Sequence, residues 1–384
     1  MDYPLTTNTI LNYANSAFPD KKLISYLPDG SRHEYTYCQL YKRCCQLANA
    51  LKNKLGITKG DMVGTFAWNH YQHVELYYGI PGIGAICHTI NIRLSSQQTE
   101  FIINHSEDKV IFVDATLVPL LEKIAPKLET VEKYIIINAP KGFTTNLPNI
   151  IHYEDLIGEQ LETIDWPAID ENDASGMCYT SGTTGMPKGV LYSHRSTYLH
   201  AMTILSPNAG NYNNNDIILL VVPQFHVMAW GFPYMCLLSG SDMVMPSLHL
   251  RPDAIIRILE SEKVNKANGV PSIWRGVYEE MKKNPPKNKL ALEEYLVGGS
   301  ALSASLIENF EKDFGIKGVQ AWGMTETSPL GTASRLQKKH KNLSEKEQIK
   351  IRAKQGIEFP GIEMRIIGDD GEVAPRDGKT MGEL

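Results

Sequence analysis

Ala174-Ser-Gly-Met-Cys-Tyr-Thr-Ser-Gly-Thr-Thr-Gly-Met-Pro-Lys-Gly-Val-Leu-Tyr192 is the stretch that decides how this chain is read. An apolar run, Ala174 to Cys178, enters a loop with three glycines, four hydroxyl side chains (Thr180, Ser181, Thr183, Thr184) and Lys188. A second apolar run, Val190 to Tyr192, leaves it. Glycines let backbone N–H groups turn inward to form an anion-binding nest, and the hydroxyls add donors. Lys188 puts a compact positive charge at the end of that nest. The flanking strands argue against a flexible linker. The stretch reads as a strand, a polyphosphate-holding loop and a second strand.

Other phosphate and catalytic patterns fail. Lys188 is preceded by Pro187 and followed by Gly189, so the Gly-Lys-Ser/Thr of a P-loop is missing. Gly82-Ile-Gly84 runs on to Cys87 rather than a third glycine, which leaves a dinucleotide fingerprint weak. Gly298-Gly299-Ser300-Ala301-Leu302 lacks the glycine of a nucleophile elbow. No HExxH is present to support a zinc hydrolase.

Outward from the loop, short apolar runs alternate with helical patterns. Thr36 is placed to cap a helix with Leu40, Cys44, Leu47, Leu51 and Leu55 on its apolar face. Strands are expected near Val63 to Ala67, Ala85 to Thr89, Lys109 to Val113 and Tyr134 to Ile137, with a helix from His70 to Tyr78 and another between the last two strands. In the second half, Ala254 to Lys263 and Pro271 to Lys283 read as helices, and Glu294 to Val297 as a strand. Ser303 caps a further helix to Phe314. This alternation predicts α/β layers built on largely parallel sheets. Arg335 to Arg352 reads as a solvated loop leading into a helix. From Gly356 the pattern changes to short alternating strands such as Met364-Arg365-Ile366-Ile367, with Asp369-Asp370-Gly371 as a turn. The chain then stops at Gly382-Glu383-Leu384 without a closing element and reads as cut off.

The 384 residues suffice for two or three core-forming units. Hydrophobic residues make up 42% and charged residues 21%, which disfavours a disordered or fibrous chain. Thirty-eight basic against 43 acidic residues give a net charge of −5, too acidic to attract nucleic acid through phosphate contacts. Six scattered cysteines without a CxxC pair read as reduced thiols. Met1 to Asp20 shows no basic stretch followed by an apolar core, hence no secretory signal. Ile217 to Ser241 lacks Asp, Glu, Lys and Arg, yet Pro223, Gln224, His226, Gly231, Pro233 and Gly240 would break a spanning helix. Buried core and pocket wall is the better reading, and the expected location is the cytoplasm.

Tyr179 to Val190 resembles the signature of the acyl-adenylate-forming, or AMP-binding, superfamily of acyl-CoA synthetases, firefly-type luciferases and peptide-synthetase adenylation domains. Three more segments match in order. Val222-Pro223-Gln224-Phe225-His226 resembles the acyl-pocket motif and Gly298 to Ser303 the glycine strand beside the purine. Ala321-Trp322-Gly323-Met324-Thr325-Glu326-Thr327 resembles the Tyr-Gly-x-Thr-Glu motif, with Trp322 in the aromatic place. Gly356 to Leu384 resembles the start of a small β-barrel. The likeness covers nearly the whole chain. It is strongest to medium- and long-chain fatty acyl-CoA ligases, through Trp68-Asn69-His70, Tyr77 to Gly82, His88 to Asn91 and Phe225 to Gly231. Amino-acid-activating relatives usually carry an aspartate after the pocket phenylalanine. His226 stands there instead, which favours a substrate without an α-amine.

The resemblance implies an α/β fold of two stacked subdomains, in αβαβα layers, plus an incomplete small β-barrel. It divides the chain into a large unit, residues 1–355, and the start of the barrel, residues 356–384, with a C-terminal lid domain expected beyond Leu384. It implies a two-step reaction. A carboxylate and ATP give acyl-AMP and pyrophosphate, and the thiol of coenzyme A then displaces AMP. These 384 residues alone are expected to adenylate weakly and to fail at thioester formation. Thr180, Ser181, Gly182, Thr183, Thr184, Gly185 and Lys188 would hold the β- and γ-phosphates. Glu326 would help bind Mg²⁺, and Thr325 would stand near the α-phosphate. Trp322 would stack on adenine, framed by Gln320, Ala321, Gly298, Gly299, Ser300 and Ala301, with Gly323 beside it. His226 would stand at the carboxylate, with Val227, Trp230, Gly231 and Gly323 along the acyl chain, Trp230 as a gate. A homodimer is common among the long-chain relatives. The competing readings are an acyl-AMP ligase for aryl or short-chain acids, a nucleotide- or acyl-binding protein without catalysis, and a P-loop ATPase.

Overall fold

The computed structural model describes residues 2–180 and 185–384. Its described residues form two sheets. The first runs, in spatial order, Ile150–His152, Lys133–Ile137, Val110–Asp114, Met62–Phe66, Ile86–Thr89, Ala174–Thr180 and Lys188–Ser193. All neighbours are parallel except the last pair, an antiparallel hairpin. One of its interior strands, Val110-Ile-Phe-Val-Asp114, is buried at every residue, as the apolar run requires.

The second sheet runs Ile357–Glu358, Leu330–Ala333, Lys317–Gly323, Glu294–Val297, Lys266–Gly269, Ile217–Leu220, Asp242–Met245, Lys22–Tyr26 and Arg32–Thr36. Its two outer pairs at one end and its last pair at the other are antiparallel. The N-terminal hairpin therefore belongs to the second sheet, with Leu23 beside Met243, although the first sheet lies between them in the chain.

Helices fill the layer between the sheets. Tyr71–Gly82 is buried along its entire length, Gln72, His73 and Glu75 included, and most of the apolar helix Phe232–Ser239 is buried too. One core cluster spans this layer, joining Val63 and Cys87 of the first sheet to Ile218 and Met243 of the second. Two outer clusters cover the far faces. The result is the expected αβαβα stack.

The local signals behave as their chemistry dictates. Thr36 accepts from the backbone of Gln39, whose side chain returns the bond in a capping box. Ser303 caps Ala304–Phe314. The segment 335–352 ends in the helix Glu345–Arg352, but its two terminal arginines are not solvated. Arg335 forks onto Glu294 at 2.7 and 2.9 Å, and Arg352 pairs with Glu311.

The tail departs from expectation. Gly368 and Glu372 close the expected turn around Asp369-Asp370-Gly371. Met364 to Ile367 forms no strand, only bridges from Ile367 to Val373 and Glu383. An alternating run becomes a strand when a second run covers its apolar face. Here Ile366, Val373 and Met381 remain exposed, so no barrel closes among the described residues. No described helix is long and apolar enough to cross a membrane.

Candidate functional site

The candidate site is assembled from segments that follow the C-terminal ends of parallel strands, where α/β sheets place ligands. The Ala174–Thr180 and Lys188–Ser193 strands bring Thr180 directly opposite Lys188. Gly185 has φ +129°, a backbone state that only glycine adopts readily. Ser181, Gly182, Thr183 and Thr184 lie outside the described residues. Lys188 is exposed and makes no ion pair among the described residues. Tyr179 anchors the hairpin base, its hydroxyl sharing a 2.7 Å hydrogen bond with His105 Nδ1.

The hairpin is tied to the threonine–glutamate motif. Tyr192 donates its hydroxyl to the carbonyl oxygen of Thr325 at 2.7 Å. Burial is the main force raising the pKa of that phenol, with the nearby Glu326 carboxylate adding to it. Thr325 is buried, whereas Glu326 is exposed and unpaired among the described residues. Gly323 has a steric reason of its own: a Cβ there would stand 2.0 Å from Pro329 O. The Trp322 ring packs against Gly331, where a Cβ would meet it at 2.9 Å.

Gln320 joins the segments expected on the purine side. Its Oε1 accepts from Leu302 N–H at 2.5 Å, and its Nε2 donates to Gln355 Oε1 at 3.1 Å and to Ser300 O at 3.4 Å. Gly299 takes φ +79°, which lets Gly298-Gly-Ser-Ala301 turn away from the strand Glu294–Val297, with Ser300 and Ala301 exposed.

The segment expected to contact the acyl chain has an unusual backbone. Val227, Met228, Ala229, Trp230 and Gly231 all have φ between +49° and +73°. Left-handed residues cost about 1–2 kcal/mol each, so four non-glycines in succession must be held by their surroundings. Cβ atoms on two glycines would press tightly against this turn. One at Gly176 would stand 3.1 Å from Met228 Cε, and one at Gly298 would stand 3.0 Å from the Trp230 ring. The turn is thus seated between the first sheet and the glycine loop of the second. The Cys178 thiol faces the Val227 and Met228 backbone, and burial pushes its pKa up to about 11.

His226 precedes the turn and is half-buried. Burial first, then the positive Arg93, holds its imidazole below the usual pKa of 6.5. A neutral ring is therefore favoured. Arg93 lies 5.7 Å from the centre of the Phe225 ring, which also packs edge-on against Trp68. Gln224 is held from beneath: Asn69 accepts its N–H at 2.7 Å, and Tyr77 donates to its carbonyl. Arg93, Tyr192, His105 and Asn69 were not singled out from sequence as site residues. Each acts through a fold contact that no local pattern announces.

The described contacts join the hairpin to Thr325, Trp230 to Gly298, and Ser300 to Gln320. They do not join Lys188 to Glu326. No group of three or more His, Cys, Asp or Glu side chains is arranged to hold a metal among the described residues. A single exposed carboxylate fits Mg²⁺, which takes few protein ligands and completes its shell with phosphates and water. Cavities of about 1040 Å³, at Tyr71 and Phe143, and about 810 Å³, at Ile357 to Glu363, are not lined by these motif residues.

The hairpin Ala174–Ser193, the glycine turn at Gly298 and the buried turn Val227–Gly231 are thus linked through Tyr192–Thr325 and Trp230–Gly298 contacts. The profile of the AMP-binding enzyme family matches residues 11–384, and the chain belongs to that family. It is 40% identical over 386 residues to a 3-methylmercaptopropionyl-CoA ligase of Ruegeria lacuscaerulensis, covering 100% of this chain and 71% of that one. It is 40% identical over 381 residues to a medium-chain-fatty-acid–CoA ligase of Ectopseudomonas oleovorans, covering 99% and 69%. A long-chain-fatty-acid–CoA ligase of Thermus thermophilus is 37% identical over 386 residues, covering 100% and 69%. The solved long-chain-fatty-acid-CoA ligase of Archaeoglobus fulgidus shares the fold, with a TM-score of 0.83 at 20% identity over 97% of this chain and 73% of that one.

Proposed function

We propose that this protein is an ATP- and Mg²⁺-dependent fatty acyl-CoA ligase. Its acid would be of medium or long chain, activated as acyl-AMP with release of pyrophosphate and then transferred to the thiol of coenzyme A. The observation that carries this reading is the seating of Trp230 on Gly298. It sets the buried Trp230 directly beside the loop assigned to the purine, which supports one acid and one nucleotide sharing a single seam.

A free carboxylate is a poor electrophile, and adenylation gives it AMP as a leaving group. Charge then develops on phosphate oxygens and on a tetrahedral carbon, where fixed donors and cations lower the barrier. Thr180, Gly185 and Lys188, with Ser181 to Thr184 between them, bind the β- and γ-phosphates. Thr325 orients the α-phosphate. Trp322 stacks on adenine, while Gln320 fixes the position of Ser300 and Ala301 around the base. Glu326 would help hold Mg²⁺, which would supply positive charge at the phosphates. The neutral His226 ring positions the carboxylate, with Arg93 close enough to favour its anionic form. Val227, Trp230, Gly231 and Gly323 contact the acyl chain.

In this reading residues 1–355 form the catalytic large unit and 356–384 begin a second element, whose first strand, Ile357–Glu358, still pairs with Leu330–Ala333 of the large unit. A cytoplasmic location and a homodimer belong to the same reading, and no described helix is long and apolar enough to cross a membrane. A short-chain acid is the second reading, favoured by the 40% identity to the 3-methylmercaptopropionyl-CoA ligase. Chain-length selectivity separates the two. Trp230→Ala should broaden or lengthen the preferred acyl chain. Lost stability with unchanged selectivity would remove Trp230 from the pocket.

A further inference from the structure

The left-handed turn Val227–Gly231 is held on a third side by a residue outside every motif. His200 extends from the helix His194–Leu205 onto Gly231. A Cβ at Gly231 would stand 2.6 Å from His200 Nδ1 and 2.8 Å from Cε1, so the imidazole occupies the space that a side chain would need. The opposite nitrogen, Nε2, accepts a 3.1 Å hydrogen bond from the backbone N–H of Leu330. Leu330 begins the strand Leu330–Ala333, directly after the Thr325–Thr327 turn.

That acceptor role requires an unprotonated Nε2. Burial supplies it, pushing the His200 pKa down to about 3. One ring nitrogen thus faces the acyl-side glycine while the other holds the strand behind the threonine–glutamate motif. The two neighbouring connections run elsewhere: Tyr192 ties Thr325 to the phosphate hairpin, and Trp230 rests on Gly298.

We infer that His200 is a positioning residue that fixes the spacing between the acyl-side turn and the Thr325–Leu330 segment, so that acid and nucleotide are held at one separation. This rests on the assignment of those two segments as the acyl and phosphate sides of a single site. A histidine that only fills the core would contribute to stability and leave substrate affinities alone. One that sets a spacing links the two affinities, because displacing either segment moves the other.

The test is ATP–pyrophosphate exchange with the preferred carboxylate, measured on wild type, His200→Phe, His200→Gln and Gly231→Ala, with the thermal midpoint of each. Phenylalanine keeps a flat aromatic ring of somewhat larger size and loses the acceptor, while glutamine can offer an oxygen to Leu330 N–H. His200→Phe should raise KM for ATP and for the acid together, each about tenfold, with a smaller change in kcat. His200→Gln should restore most of both. Gly231→Ala, which presses the ring from the acyl side, should also raise KM for ATP.

Equal KM values in His200→Phe and wild type, with activity falling only in step with the thermal midpoint, would overturn the inference. Should His200→Phe not fold, an unchanged KM for ATP in Gly231→Ala would overturn it equally. The parent reading fails separately, and first, if wild type shows no carboxylate-dependent exchange.

Discussion

Lys188 and Glu326 are exposed charges without ion-pair partners among the described residues, so the fold gains little from either. In the proposed function their value lies in the phosphates and Mg²⁺ that they would face. Lys188→Met and Glu326→Gln should each lower pyrophosphate exchange by about 10²–10³-fold. Thermal midpoints should stay near wild type, since such surface changes are usually within about 0.5 kcal/mol. A lowered midpoint with exchange intact would assign both residues to the scaffold. These charges were legible in the sequence because their motifs are local: a lysine eight residues after Thr180, and a glutamate after Thr325. His200 was not. A lone histidine on a helix carries no pattern, and its meaning comes from Gly231 and Leu330, which are 31 and 130 positions away.

The Val227–Gly231 turn shows most clearly what sequence reading misses among the elements. Positive φ is usually announced by glycine or asparagine, but Val227-Met-Ala-Trp230 contains neither, and Val227 is β-branched. Tertiary contacts at Gly176, Gly298 and Gly231 impose the shape. Gly298→Ala should therefore act at a distance from its own small size. Its Cβ would press on the Trp230 ring at 3.0 Å and shift it, so the preferred acyl chain length should change while the thermal midpoint moves little. Selectivity equal to wild type would separate Trp230 from chain-length control. The regular elements were legible because their signals are short-range. Thr36 and Ser303 cap helices where expected, and Pro271–Lys283 and Glu294–Val297 fall at the expected positions. Met364 to Ile367 misled because alternation specifies a strand only where a partner exists.

Across the whole molecule, the two sheets are knitted by a buried carboxylate. Glu75 is fully buried on the helix Tyr71–Gly82 and receives Arg43, Tyr35 and Tyr153 at 2.6–3.2 Å. Burial raises its pKa even with Arg43 beside it. Tyr35 lies in the second sheet and Tyr153 packs under the first, so Arg43→Met should destabilise both, by about 3–5 kcal/mol in denaturant unfolding. A loss below about 1 kcal/mol would contradict that weight. Neither the network nor the crossing of Lys22–Thr36 into the second sheet was legible, because both depend on pairings far apart in sequence. Acid should weaken the whole fold. His73 and His200 are pushed down to about 3 by burial, and His194 to about 4. The unfolded chain protonates these rings first as pH falls below about 6.5, so stability declines from there toward pH 4, by up to about 1.4 kcal/mol per pH unit for each ring. A thermal midpoint that is flat from pH 7 to 4.5 would contradict this. The most direct test of the central claim is ATP–pyrophosphate exchange by the full-length enzyme against straight-chain acids from acetate to palmitate, with 3-methylmercaptopropionate and benzoate. The account predicts exchange that requires a carboxylate and peaks in the medium- to long-chain range. Tight ATP binding with no exchange for any acid, or ATP hydrolysis independent of acid, would contradict it.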